Sequence, residues 1–572
     1  MTESITAGTQ PEGGAPDPDP AERHGGELAV EVARAHGVET MFTLSGAHVF
    51  PLYDAAVGGK ARPQPAPLRL VDVRHEATAV FAAEAVGKLT RTPGLAVVTA
   101  GPGVTNSVSA ITQAQLAGSP LVVLGGRAPT QRWGSGSLQE LDHPPLVAPV
   151  TKLARTVRSV DDLPAAVDEA FRIAGTAHRG PAFLDIAMDQ LYSRTTVEIP
   201  RPRTPAPAEV DPDALAEVAG LLAEASRPVL VLGSDVWLDR AEDAARAVVD
   251  ELGIPVVVNG MGRGVLPRGH RLSVSKARSV AFGRCDLAVV VGTPLDFRLG
   301  YGVFGGRDGA PAAKVVHLVD SPGQTARHLV PAAVVAGDLS AVLLGLAGAY
   351  GQVLRRPDWS GWLAELHATA NAAQERDSAL LAADTDPIHP ARIYGDLVRM
   401  LTDDAVIVGD GGDFVSYAGK YLEPARPGCW LDPGPFGCLG AGLGAAIAAR
   451  LVRPSAQVVA LLGDGAAGMS LFDVDTLVRH RLPVVMVVGN NGGWGLEKHP
   501  MRMLYGYDVA AELQPATPYD EIVRSLGGAG ETVRTPSEIG PALRRAFDAG
   551  VPYLVNVLTD PEVAYPRTTF GV

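Results

Sequence analysis

Short runs of unbroken apolar residues recur along the chain: GLAVVTA, PLVVLGG and AFLDIA in the first third; PVLVLG, IPVVVN, DLAVVVG and KVVHLVD in the middle; AVIVGD, QVVALLGD and LPVVMVVGN in the last. A strand with one wet face alternates apolar and polar positions. Runs that do not alternate are expected in strands buried on both faces, the pattern of a parallel sheet with helices on either side. Amphipathic stretches of helical character lie between them, so the pattern predicts the α/β class with doubly wound parallel sheets. No short tandem repeat divides the sequence.

Proline-rich polar stretches mark where the blocks separate. One is IPRPRTPAPAEVDPD at 199–213; a more diffuse one around 370–390 ends in DTDPIHP. They predict three domains, 26–198, 214–350 and 389–572, joined by linkers at 199–213 and 351–388. The first 25 residues carry almost no large apolar side chains and read as a disordered tail. A chain of 572 residues with 46% hydrophobic content can supply several cores.

Charge and cysteines narrow the partners. The net charge of −14, from 49 basic and 63 acidic side chains, disfavours nucleic acid and anionic membrane. Cys285, Cys429 and Cys438 are too scattered for a disulfide framework or zinc site. No apolar run is long enough to span a membrane and the start lacks a signal-peptide pattern, so the expected location is the cytoplasm.

Two polar motifs sit where apolar runs end. QVVALL is followed by Gly463-Asp464-Gly465, and LPVVMVV by Gly489 and the pair Asn490-Asn491, with Asn491 lying 27 residues after Asp464. That separation accommodates one crossover helix and the next strand, placing both motifs at carboxyl strand ends, where open α/β sheets bind ligands. Carboxylate, amide oxygen and backbone carbonyl suit a hard cation bridging to phosphate, and glycine lets backbone come close. A second GDG at 409–411 has no asparagine at the matching distance, so the three letters alone carry little.

The paired motifs resemble the signature of thiamine diphosphate-dependent enzymes, and the resemblance extends over roughly residues 26–565. It is closest to the branch containing acetolactate synthase, oxalyl-CoA decarboxylase and 2-hydroxyacyl-CoA lyase, in particular to acetolactate-synthase-like lyases of actinobacterial type. It implies pyrimidine-binding, central and diphosphate-binding domains, in that order. It also implies that Asp464, Asn491 and the carbonyl of Gly493 hold Mg2+ against the diphosphate, with Gly463 and Gly465 beside it.

The same resemblance assigns further residues. In VRHEATAVFAAEA, Glu76 matches the glutamate that hydrogen-bonds the cofactor pyrimidine and promotes its activated tautomer. AGPGVTN, from Ala100 to Asn106, resembles a loop near the cofactor, and Gln139 in GSLQELDH a glutamine facing the thiazolium. Leu439 falls where a large apolar residue separates the two cofactor rings, and Gly412 and Asp413 in GDGGDF match a diphosphate-contacting loop. Glutamate and diphosphate site come from different subunits in such enzymes. A homodimer is therefore the smallest expected active unit, and a homotetramer the expected assembly.

Two reactions compete. A lyase would split a 2-hydroxyacyl-CoA into formyl-CoA and a ketone or aldehyde; a synthase would join two 2-oxo acids. GGWGLEKHPMRMLYGY after the asparagine pair and GTPLDFRLGYG in the middle domain depart from the synthase pattern and resemble the lyases. Glu497, at the start of a helix entering the site, is the candidate for handling the substrate proton; His48, His75 and His499 are weaker candidates. The phosphates of CoA call for cations, and NGMGRGVLPRGHRLSVSKARS offers Arg263, Arg268, Arg271, Lys276 and Arg278, with Arg263 and Arg278 preferred. ADP or FAD in the central domain is the alternative there. A non-catalytic binding module would have lost Glu76, Asp464 or Asn491, and all three are present. The C-terminal LTDPEVAYPRTTFGV is a candidate lid.

Overall fold

A computed structural model describes residues 22–58, 68–203 and 208–566. Three parallel sheets form separate layers, each covered by helices. The first sheet has the order Arg69–Asp72, Thr40–Thr43, Gly94–Val98, Leu121–Arg127, Pro181–Ala187, Leu153–Val157. The third runs Trp430–Leu431, Val406–Asp410, Val458–Gly463, Val485–Asn490, Tyr553–Leu558, Ala529–Val533. Numbered along the chain, both are 2-1-3-4-6-5, so the two outer domains share one topology, which their sequences do not reveal. The middle sheet, with Val256–Val258, Pro228–Leu232, Leu287–Val291, Lys314–Val319 and Ala333–Ala336 side by side, is 2-1-3-4-5.

The apolar runs became the central strands for the reason their pattern gives: Leu121–Arg127, Pro181–Ala187, Pro228–Leu232 and Leu287–Val291 are buried at every position. The outer domains also pack on each other. The helix Glu76–Thr90 lies against Gly442–Val452 so closely that a Cβ on Gly444 would sit 2.9 Å from the Cβ of Phe81.

Two expected boundaries shift. The stretch 351–388 is not an extended linker: Ser360–Leu381 is a 22-residue helix. It is anchored on the middle domain by buried Trp362 and Leu366, with the indole N–H groups of Trp359 and Trp362 donating to the carbonyls of Ala225 and Pro228. Its alanine, glutamate and glutamine content is polar yet helix-favouring, which a reading based on polarity and flanking prolines misses. At the other end, Arg23–His24 pair antiparallel with Arg194–Thr195 and a helix starts at Gly25, so these residues of the expected tail belong to the first domain. Residues 1–21 of that tail, 204–207 of the first linker and 567–572 of the candidate lid lie outside the described residues. Among the described residues, no helix is long and apolar enough to cross a membrane.

Candidate active site

In the third sheet Gly463 stands opposite Gly489, so the chain leaves the two strands with Asp464 beside the asparagine pair. A cavity opens at these strand ends. Its lining includes Gly412, Asp413, Leu439, Gly463, Asp464, Gly465, Asn491, Gly493 and Glu497, so the sequence candidates on the diphosphate side converge on one place. It lies where the strand order reverses, between Val406–Asp410 and Val458–Gly463.

The Asp464 carboxylate is 3% exposed and accepts the N–H groups of Gly465 at 2.9 Å and Gly492 at 2.7 Å. Burial pushes its carboxyl up to about 6, and those amides hold it back from rising further. An oxygen-rich, charge-bearing wall of this kind fits a hard divalent cation, which would offset the burial of the charge. The two asparagines do different work. Asn490 points into the sheet and donates to Thr517 O and Asn556 Oδ1, both at 3.1 Å; Asn491 lines the cavity. Glycine is required at the walls, since a Cβ on Gly465 would lie 2.4 Å from the Trp494 ring and one on Gly412 2.4 Å from Leu496. The helix Asp413–Tyr421 starts at the cavity, turning its N-terminal amides and positive dipole end toward it, which suits an anion there. These features fit a diphosphate held with a metal ion.

Asp410, in the other GDG, is a structural group. It is fully buried, takes the N–H groups of Gly440 at 3.2 Å and Gly442 at 2.7 Å, and is pushed up to about 7 by burial. It thereby ties down the loop carrying Leu439.

Glu76 and Gln139 lie in the first domain, whereas the cavity is lined by the third. Glu76 opens the helix Glu76–Thr90 and accepts from Asn106 Nδ2 at 3.1 Å, which gives the AGPGVTN turn a direct task. Gln139 occupies a left-handed turn with φ of 59°, its Cβ 2.9 Å from where a Cβ on Gly101 would be, and Thr99 Oγ1 donates to its Oε1 at 3.5 Å. His75 caps the helix by accepting the Ala77 N–H, and His48 is hydrogen-bonded to Thr99 with burial lowering its pKa. On the helix Gly495–Tyr505, Glu497 faces the cavity, while His499 Nε2 is buried without a partner among the described residues.

Supporting groups carried no signal in the sequence. Asp473 of the third domain accepts from Arg74 N at 2.8 Å and Thr78 Oγ1 at 2.7 Å, clamping the segment that carries Glu76. His143 is wholly buried; its Nε2 accepts the Gly101 N–H at 2.9 Å, so Nδ1 carries the proton and donates to Asp185 at 3.1 Å. Arg127 completes the network on Asp185 at 2.6 Å. Replacing His143 with Ala is expected to cost about 2–4 kcal/mol, because a buried amide and a buried carboxylate lose a partner together. Denaturant unfolding checks this; a loss below about 1 kcal/mol would mean that the network does not hold the turn.

Three family descriptions match the chain in order: the thiamine pyrophosphate enzyme N-terminal TPP binding domain at 23–146, the central domain at 215–346 and the C-terminal TPP binding domain at 410–557. The chain belongs to the thiamine pyrophosphate enzyme family. It is 50% identical over 553 residues to the acetolactate synthase large subunit IlvG of Mycobacterium tuberculosis, covering 95% of this chain and 97% of that protein. It is 37% identical over 549 residues to 2-hydroxyacyl-CoA lyase 2 of Mus musculus, covering 89% and 85%, and 35% identical over 584 residues to that of Homo sapiens, covering 94% and 90%. As a thiamine pyrophosphate enzyme the protein is an α/β catalyst dependent on thiamine diphosphate.

The cationic segment of the middle domain divides in two. Arg268 pairs with Asp403 at 3.4 Å, Arg271 with Asp250 at 3.8 Å, and Lys276 donates to Gln374 at 3.1 Å, all exposed. Arg263 and Arg278 turn inward. The Arg263 guanidinium lies 4.6 Å from the Trp430 ring and close against Gly419 of the helix that starts at the cavity. Burial, then the positive Arg263 and Arg298, bring Arg278 down to about 10. The chain near the C-terminus reaches the same region: Tyr417 OH donates to Ala564 O at 3.1 Å, and Tyr565 N donates to Asp413 Oδ2 at 3.4 Å.

Proposed function

We propose that this enzyme is a carbon–carbon lyase that cleaves a short 2-hydroxyacyl-CoA into formyl-CoA and a ketone or aldehyde, with the reverse condensation open to the same site. The observation that carries this reading is the inward pair Arg263 and Arg278. Burial and the neighbouring positive charges of Arg263 and Arg298 disfavour the charged form of Arg278, whose Nη2 donates to the carbonyl of Arg298, and a phosphate-bearing substrate would offset that cost through charge-assisted hydrogen bonds. A small 2-oxo acid has no comparable need for them.

Asp464, Asn491 and the Gly493 carbonyl would hold Mg2+, with Gly412, Asp413, Gly463 and Gly465 around the diphosphate and Leu439 between the cofactor rings. Bound thiamine diphosphate supplies the electron sink for the carbon that loses its neighbour. Glu76 sets the protonation of the pyrimidine, and Gln139 orients the reacting side. In enzymes of this family the glutamate and the diphosphate site come from different subunits, and on that basis the site would be completed by Glu76 of a second copy, in a homodimer or a tetramer of such dimers. Glu497 takes the substrate hydroxyl proton as the C1–C2 bond breaks and returns it to the carbon that becomes formyl, so the two products together contain every atom of the substrate. The stretch at Ala564 and Tyr565, set beside Tyr417 and Asp413, would stand at the edge of the bound thioester.

The second reading, condensation of 2-oxo acids, is favoured by the mycobacterial acetolactate synthase at 50% identity. The assay that separates them offers 2-hydroxyisobutyryl-CoA in one reaction and pyruvate in another, with thiamine diphosphate and Mg2+. Formyl-CoA with acetone from the first and no acetolactate from the second is expected; acetolactate alone overturns the lyase. In the lyase, Arg278→Ala should raise KM for the acyl-CoA about tenfold or more, about 1.4 kcal/mol, with the cofactor Kd unchanged. An ADP or FAD in the central domain would occupy the crevice beside Ser234 and Gly292–Pro294 at the switch point of the middle sheet. Chromatography of the supernatant after heat denaturation tests for it.

A further inference from the structure

Away from the diphosphate cavity, the first and middle domains meet at three ionisable side chains. His178 precedes the strand Pro181–Ala187 of the first domain; Asp235 follows Pro228–Leu232 and Asp320 follows Lys314–Val319 in the middle domain. One nitrogen of the histidine and one oxygen of each carboxylate all lie within 4.8 Å of one another. His178 Nδ1 is 3.0 Å from Asp320 Oδ2 and 3.9 Å from Asp235 Oδ2. Adjacent ligands of one ion, each about 2.1 Å from it, stand about 3.0–3.4 Å apart, so the first separation, a hydrogen bond without the ion, lies in that range and the second needs a small closure.

Asp235 is the group that an ordinary ion pair leaves unexplained. It is 7% exposed, it lines a cavity together with His178, and its carboxylate accepts no hydrogen bond among the described residues. Of the nearby cations, Lys152 donates to the carbonyls of Ile173 and Thr176 at 2.6 and 2.7 Å, and Arg179 donates through Nη2 to Asp239 at 3.0 Å while its buried Nη1 has no partner among the described residues and its charge acts on Asp235 from a distance. Burial accordingly pushes the Asp235 carboxyl up to about 7. Buried carboxylates with no hydrogen-bonded partner are costly and are usually paired or bound to metal. Backbone space is cleared for both side chains: a Cβ on Gly118 would lie 2.4 Å from the His178 ring, and one on Gly292 would lie 2.9 Å from the Asp235 Cβ.

We propose that His178, Asp235 and Asp320 form a divalent-cation site that clamps the first domain to the middle domain. One imidazole and two carboxylates, with the remaining positions open to the cavity, suit an ion of the manganese-to-zinc class. The site lies apart from the diphosphate cavity, on the wall of the crevice beside Ser234 and Gly292–Pro294 where an ADP or FAD would bind.

The test uses the full chain, stripped with EDTA and without thiamine diphosphate, carrying Asp464→Asn so that the diphosphate cavity is disabled. Co2+ is titrated, following its visible absorption bands, the bound metal per chain and the unfolding midpoint. The expected result is one Co2+ per chain displaced by Zn2+, with a higher midpoint. Adding Asp235→Asn or His178→Gln should weaken binding about 100-fold and abolish the midpoint rise. A purely structural ion pair predicts no stoichiometric Co2+ in the parent protein, and that outcome overturns the proposal without any ligand variant having to fold. Tight one-to-one binding that survives both substitutions overturns it as well.

Discussion

Glu76→Gln lowers kcat about a thousandfold, within the range that a positioned acid or base contributes, while the fold and cofactor affinity are kept. The glutamine still accepts the Asn106 amide that Glu76 accepts at 3.1 Å. Only the charge at the helix start is lost, worth about 0.3–1 kcal/mol. Steady-state rates on whichever of the acyl-CoA and pyruvate the parent turns over, with cofactor affinity from quenching of tryptophan fluorescence, separate the two effects. Activity within about tenfold of the parent would remove Glu76 from the chemistry.

With Asp464 as a ligand of the metal, Asp464→Asn should abolish the stabilisation gained on adding thiamine diphosphate with Mg2+. At a hundred times its Kd a ligand adds about 2.7 kcal/mol to the folded state, and the variant should show none of it in thermal unfolding. Without ligand the effect changes sign. Burial raises the Asp464 carboxyl from 3.8 to about 6, so the fold favours its protonated form. The stability linked to that proton is complete below about pH 3.8 and lost as pH rises through about 6. Asparagine does not titrate. The unfolding midpoint of the ligand-free variant should therefore gain on the parent across that window and hold its lead above it, and a constant difference would show that Asp464 is not strained by burial.

The strands and the cofactor signature were legible because both are local. An unbroken apolar run reports two buried faces whatever the rest of the chain does, and Asp464 and Asn491 are joined by one crossover, two short helices Asp464–Ser470 and Val474–Arg479 and the strand Val485–Asn490, whose length shows in their separation. The helix Ser360–Leu381 was obscured because its polar composition imitates a linker, and its anchoring tryptophans bond to carbonyls at Ala225 and Pro228 far back in the chain.

What the sequence by itself determined is the α/β class, the three blocks and the pairing of Asp464 with Asn491 at neighbouring strand ends, because hydrophobic period and short-range spacing act within one folding unit. Only the tertiary structure decided that Asn490 bonds to Asn556 within the sheet and to Thr517, that Asp473 steadies the segment of Glu76, that Arg268 and Arg271 pair with Asp403 and Asp250 at the surface, and that His178 meets Asp235 and Asp320. Those partners are brought together by sheet register and by domains packing on one another, and such contacts leave no periodic trace in the residues that make them.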